Sequence, residues 1–185
     1  LVEGQMDFLM AWQEGIKFVV ATSGTALTPD HLSTLKRNTE NLILGFDADE
    51  AGIAATERSI DLANSYDLNV KIVNFKVPDF TAFKDVADLA KEKPGALGDF
   101  IGQAMPAMDF YFLRYLPQPP SKSSKHDIRK VLAKIKILAS PIEQNQWLKN
   151  LAEKTNIEEK SLREELRLIK IENQEGRIRE LEAGG

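Results

Sequence analysis

Three short apolar runs, residues 17–22 (KFVVAT), 41–47 (NLILGFD) and 69–75 (NVKIVNF), alternate with stretches of helical spacing. This alternation constrains the fold more than any other feature. Runs of β-branched and aliphatic residues bounded by turn formers read as strands. Connections of a few residues around intervening helices place such strands side by side in a parallel sheet. Residues 5–14 are predicted helical, with Phe8, Leu9 and Trp12 at helical spacing. Thr28-Pro29-Asp30 supplies an N-cap, a proline at the first helical position and an early acid, opening a helix through about Asn38. Residues 50–66 form a third predicted helix, and Val2 reads as the remnant of one more strand. The expected class is α/β, a Rossmann-like parallel sheet with helices on both faces.

Beyond Val77 the rhythm changes. Residues 78–93 are polar, Pro94-Gly95 marks a turn, and one helical stretch is predicted over residues 96–116. Residues 117–125 (PQPPSKSSK) read as a linker. The remainder is helical by pattern. Ser124-x-x-Asp127 is a capping box ahead of Ile128, Val131, Leu132, Ile135 and Leu138. Ser140-Pro141-x-Glu143 opens a helix carrying Leu148 and Leu151, and a last helix from about Glu158 carries Leu162, Leu166 and Ile169. The division expected is an α/β core over residues 1–95 and an all-helical subdomain over residues 96–185.

Composition removes several classes of function. The chain has no cysteine and only two histidines, His31 and His126, so thiolate zinc sites, redox motifs, disulfide scaffolds and three-histidine sites are excluded. No apolar run reaches the roughly 18 residues of a membrane span, so a soluble cytoplasmic protein with no membrane partner is expected. Residues 1–100 carry 16 acids against 9 bases, and residues 101–185 carry 12 acids against 15 bases. The net charge of −4 is therefore no argument against a polyanionic partner. Because residues 1–4 read as the end of an apolar strand, a piece of a longer protein is expected.

The acids have a pattern. In a parallel sheet, ligands bind beyond the carboxyl ends of the strands. Glu3 follows the first strand, and Asp47 and Asp49 follow the run at residues 41–47. Without a basic partner in the local sequence, carboxylates converging there repel, and divalent cations relieve the repulsion. An all-oxygen donor set selects Mg²⁺ or Mn²⁺, the ions of two-metal phosphoryl transfer. Against this stands a plainer reading, in which Asp47 and Asp49 are solvated loop acids capping the helix at Glu50. A receiver domain would need paired acids after its first strand, where only Glu3 stands. A haloacid-dehalogenase-like phosphatase would need Thr or Val after Asp-x-Asp, where Glu50-Ala51 follow. Ser23, Gly24 and Thr25 offer backbone amides to a phosphate at the next helix start, although a tight turn explains them as well. Lys122, Lys125, Arg129 and Lys130, with Lys134 and Lys136, form a basic stretch suited to nucleic-acid backbone or to a solvated helix face.

Taken in order, the motifs resemble a known family. Val2-Glu3-Gly4-x-Met6-Asp7, Ala21-Thr22-Ser23-Gly24-Thr25-Ala26-Leu27-Thr28, Phe46-Asp47-Ala48-Asp49-Glu50-Ala51-Gly52 and Lys84-Asp85-x-x-Asp88-Leu89 are similar to the TOPRIM core of bacterial DnaG-type DNA primases. The helical part, notably Ser140-Pro141-Ile142-Glu143, resembles the subdomain closing the primase RNA polymerase domain. The resemblance implies that Glu3, Asp47 and Asp49 are catalytic and bind two or more Mg²⁺ or Mn²⁺ ions, with Asp85 as a further metal-side carboxylate. It implies DNA-templated synthesis of short RNA primers at a bacterial replication fork, with single-stranded DNA template, RNA primer and ribonucleoside triphosphates as partners. Zinc and a replicative helicase would engage regions absent from this chain, which alone is expected to be inactive. Two rivals are a TOPRIM nuclease or topoisomerase part, which cleaves phosphodiesters, and a non-catalytic replication interaction module.

Overall fold

In the computed structural model, which describes residues 1–75 and 83–170, the first two residues form the middle of the sheet. The Val2 N–H donates to Val20 O (2.9 Å), and Val2 O accepts from the Thr22 N–H (3.1 Å). On the other side, the Leu1 amino group donates to Ile43 O (2.7 Å) and Leu1 O accepts from the Gly45 N–H (2.9 Å). Both pairings are parallel. Strand β1 (Asn41–Leu44) pairs in parallel with β2 (Asn69–Ile72), in the register Asn41–Asn69 to Leu44–Ile72. A short β3 (Met105–Pro106) adds antiparallel to β2. The lateral order is therefore residues 20–22, Val2, β1, β2, β3.

The helices follow the predicted starts. Helix α1 (Gln5–Gln13) ends in a Schellman pattern, with Gly15 at φ +89°, Ile16 N–H on Ala11 O and Gly15 N–H on Trp12 O. Helix α2 (Pro29–Lys36) is capped by Thr28, whose hydroxyl accepts from the His31 N–H (3.2 Å). Helices α3 (Glu50–Asn64) and α4 (Val86–Glu92) follow β1 and the 83–85 segment. Helix α1 packs on α4, and Val2, Ala11, Val73, Phe75, Phe83, Val86, Leu89 and Leu97 form one buried cluster between them and the sheet. Leu42 and Leu44 point to the opposite face, as strand alternation requires.

Two expectations change. The run at residues 17–22 forms no full strand; only Ala21 pairs, and Phe18 (75% exposed) and Val20 (39%) lie in solvent at the sheet edge. The single helix expected over residues 96–116 is three elements, α5 (Leu97–Gly102), β3 and α6 (Ala107–Tyr115). Pro106 explains the break, since proline lacks the helical N–H and disfavours helical backbone at the preceding residue. The expected polar stretch 78–93 lies partly outside the described residues, as does the charged end after Lys170.

The chain divides into two compact units, Leu1–Phe110 and Tyr111–Gly185. In the first unit, β3 hydrogen-bonds to β2 and Leu97 belongs to the core. In the second unit, a 3-10 turn at Pro120–Lys122 follows a cis Gln118–Pro119 bond. The helices α7 (Lys125–Lys136), α8 (Pro141–Thr155) and α9 (Glu159–Leu168) pack on one another. Ser124 and Ser140 cap α7 and α8 as the sequence predicts. Val131, Leu132, Ile135, Leu148, Leu151 and Leu162 are shut off from solvent.

Gly52, in the first turn of α3, sits against the backbone of the preceding loop. A Cβ there would lie 2.2 Å from Asp47 O and 2.8 Å from Asp47 C, a contact that backbone cannot relieve without shifting. Gly52→Ala is expected to lower unfolding free energy by about 1–3 kcal/mol, read as a lowered denaturant midpoint, although alanine is the better helix former.

Candidate functional site

The acids predicted from the sequence lie at one end of the parallel strands. Val2, held between two neighbours, delivers Glu3 to that end, where its Oε1 accepts from the Asp47 N–H (3.3 Å). Asp47 leaves β1 by way of Gly45 and Phe46. Asp49 caps α3, its Oδ1 accepting from the Gly52 N–H (2.8 Å). Asp85 caps α4, its Oδ1 accepting from the Asp88 N–H (2.7 Å). Asp88 turns back, and its Oδ2 accepts from the Lys84 N–H (3.0 Å). The loops holding Asp47 and Asp85 are tied directly, the Ala48 N–H donating to Lys84 O at 2.7 Å.

Two residues at this site were missed as site residues. Lys84 Nζ lies 3.7 Å from both Asp47 Oδ2 and Asp85 Oδ2, so the acids do have a basic partner, contrary to the expectation from local sequence. Asp7 is nearly buried at 7% exposure; its Oδ1 accepts from the Ala87 N–H (3.0 Å) and its Oδ2 from the Gly4 N–H (3.2 Å). It joins the N-termini of α1 and α4. An acid at the third position of a helix is a readable capping signal; its link to Ala87, distant in sequence, is not.

The electrostatics record the crowding. Burial lifts the Glu3 carboxyl above its ordinary value, and the charges of Asp47, Asp49 and Asp7 push it further. Burial also lifts Asp47, with Asp85 the largest of the charges that add to it, while Lys84 opposes. Asp7 is raised by burial and then by Asp85. Asp47 and Asp85 in turn hold the Lys84 ammonium above its ordinary value. The donors are all oxygen, which suits hard divalent ions. Among the described residues, however, no three Asp, Glu or His side chains are drawn close enough to ligate one ion.

The other predicted residues fall in two places. Ser23 and Gly24 have positive φ (56° and 82°), and the Gly24 and Thr25 amides turn inward, onto Glu3 O (3.2 Å) and Thr22 O (3.3 Å). These two amides are hydrogen-bonded within the turn, and α2 starts at Pro29. Ser23 borders an open groove of about 340 Å³ with Gln5, Phe8, Val20 and Ala21. Lys122, Lys125, Arg129 and Lys130 belong to the second unit. Arg129 and Lys125 pair with Glu165, the latter at 3.9 Å, and Lys130 sits 5.5 Å from the Tyr115 ring.

This arrangement has relatives. Residues 1–90 match the Toprim-like family. A DNA primase of Clostridium acetobutylicum is 32% identical over 165 residues, which cover 88% of this chain and 27% of that protein. The chain is similar to bacterial DNA primases over most of its length. It spans about a quarter of the length of such curated relatives. Among solved structures, the E. coli primase catalytic core matches with a TM-score of 0.64 at 28% identity, over 85% of this chain and 52% of that one. A DnaG primase catalytic domain bound to single-stranded DNA matches with a TM-score of 0.66 at 26% identity, over 87% and 52%. Among the described residues no helix is long and apolar enough to cross a membrane.

Two outcomes follow from the geometry. Asp7→Asn places an amide NH2 against one of two backbone N–H groups; about 1–3 kcal/mol of stability should be lost, measured by chemical denaturation. Glu3 and Asp47 are raised above their ordinary values of 4.5 and 3.8. Above those values the folded chain holds protons that the unfolded chain has released, so stability falls as pH rises through this window. Glu3→Gln, whose Oε1 still accepts from Asp47, removes one such group. Its melting temperature should fall less than the parent's between about pH 4 and about pH 7.

Proposed function

We propose that this chain is part of the catalytic core of a bacterial replicative primase, and that its first unit supplies the acids for template-directed joining of ribonucleotides. The observation that carries this reading is the Glu3–Asp47 hydrogen bond. It brings the Glu3-Gly4 motif and the Asp47-x-Asp49 motif together at the end of parallel strands, beside Asp85, in a chain similar to DNA primases.

Glu3, Asp47, Asp49 and Asp85 would hold Mg²⁺ or Mn²⁺. Their all-oxygen chemistry fits these ions, and their mutual repulsion leaves them in need of positive charge. Bound there, such ions supply charge neutralisation for a triphosphate and for an attacking 3′-hydroxyl. The chain's own part is positioning. The two helix caps fix Asp49 and Asp85, the sheet fixes Glu3, and Asp7 keeps the helix carrying Asp85 in register with Glu3. The reaction would join a 3′-hydroxyl to the α-phosphate of an incoming ribonucleoside triphosphate, releasing pyrophosphate. Single-stranded DNA, which a similar catalytic domain binds, would be the template.

Calorimetric titration of Mn²⁺ tests this. The parent should bind, and Asp47→Asn and Asp49→Asn should each weaken binding about tenfold or more. Binding indifferent to both substitutions would sink the metal assignment and leave an interaction module as the better reading.

A further inference from the structure

Lys84 stands where a cation would. Its ammonium is equidistant from one oxygen each of Asp47 and Asp85, at 3.7 Å, while its side chain is 66% exposed. Its backbone is fixed on both sides, by Ala48 N–H on Lys84 O and by Lys84 N–H on Asp88 Oδ2. The main chain therefore delivers the ammonium to the acids, while the four-carbon stem remains free to swing away. At 3.7 Å the contacts are longer than direct hydrogen bonds and are screened by solvent, so they are readily exchanged. A divalent ion contacts carboxylate oxygen at about 2.1 Å with twice the charge.

We propose that Lys84 is an internal counter-ion that occupies the cation position between Asp47 and Asp85 and must be displaced by an incoming divalent metal. This rests on the metal-holding reading above. It explains how acids facing one crevice coexist in the folded chain before any ion arrives. Lys84 is thus a positioning residue, one that sets the metal concentration at which the site fills.

The test is Mn²⁺ titration by calorimetry into the parent, Lys84→Gln, Lys84→Arg and Asp47→Asn, with Lys91→Gln as control for net charge. Lys91 is exposed in the last turn of α4, away from the acids. Lys84→Gln should bind about three- to tenfold more tightly than the parent at low salt. The gain should shrink at high salt, as screening weakens the competing ammonium. Lys84→Arg and Lys91→Gln should stay near the parent. Equal or weaker binding by Lys84→Gln, with circular dichroism showing it folded, overturns the proposal while leaving the metal reading intact. No binding by the parent but binding by Lys84→Gln supports displacement. Binding by none of these proteins, or a Lys84→Gln gain that persists when Asp47→Asn is combined with it, overturns the metal reading and the displacement with it.

Discussion

The backbone of Leu1 and Val2, hydrogen-bonded to residues 20–22 on one side and to Ile43 and Gly45 on the other, is the constraint on which the first unit depends. Two residues of parallel pairing place Glu3 level with the end of β1, close enough to accept from the Asp47 amide. Gly45 extends the consequence to the next layer. A Cβ there would lie 3.2 Å from Val86 Cγ2 and 3.7 Å from Val2 Cγ1. Its absence lets α4 sit close over the sheet, and α4 carries Asp85 at its N-cap. Glu3, Asp47 and Asp85, far apart in sequence, are thus held together by one short strand and one missing side chain.

The acids at this end serve the fold as well as any ligand. Asp49 and Asp85 each accept a backbone N–H in the first turn of a helix, and Asp7 accepts at the starts of two. Orphan amides at a helix N-terminus carry partial positive charge, and a carboxylate there both satisfies a donor and meets a favourable dipole. That compensation lets Glu3, Asp7, Asp47, Asp49 and Asp85 crowd together with Lys84 as the cation paired to Asp47 and Asp85. Capping and cation-holding are therefore compatible roles of the same oxygens, and finding a cap at Asp49 does not displace the functional reading.

This double use sets the limit of what the sequence discloses. Helix starts were legible because caps are local: Thr28, Ser124 and Ser140 each take the amide three residues on. The order of strand-end acids was legible too, since Glu3 and Asp47 follow apolar runs. The run at residues 17–22 misled because β-branched composition reports fitness for a pleated surface, and Phe18 and Val20 spend it on an exposed edge. The stretch 96–116 misled because its apolar spacing concealed the stop at Pro106. Lys84 and Asp7 were opaque for another reason. Their partners Asp47 and Ala87 lie in other segments of the chain, and only tertiary pairing brings them near.

Charge divided by halves of the chain does not show where folding places it. Among the described residues, much of α7's charge is engaged within the second unit. Lys136 donates to the carbonyls of Leu166, Arg167 and Ile169 at the end of α9, a favourable place for a cation. Arg129 and Lys125 meet Glu165, and Lys130 and Lys134 lie over Tyr115 and Tyr111, whose rings stack 5.9 Å apart. The first unit is the reverse case. Its excess acid is concentrated at one strand end, where burial and like charge raise Glu3, Asp7 and Asp47 together. Net charge averages over both situations. The informative quantity is charge that folding has drawn together, and among the described residues Glu3, Asp47, Asp49 and Asp85 gather it at the ends of the parallel strands, offset in part by Lys84.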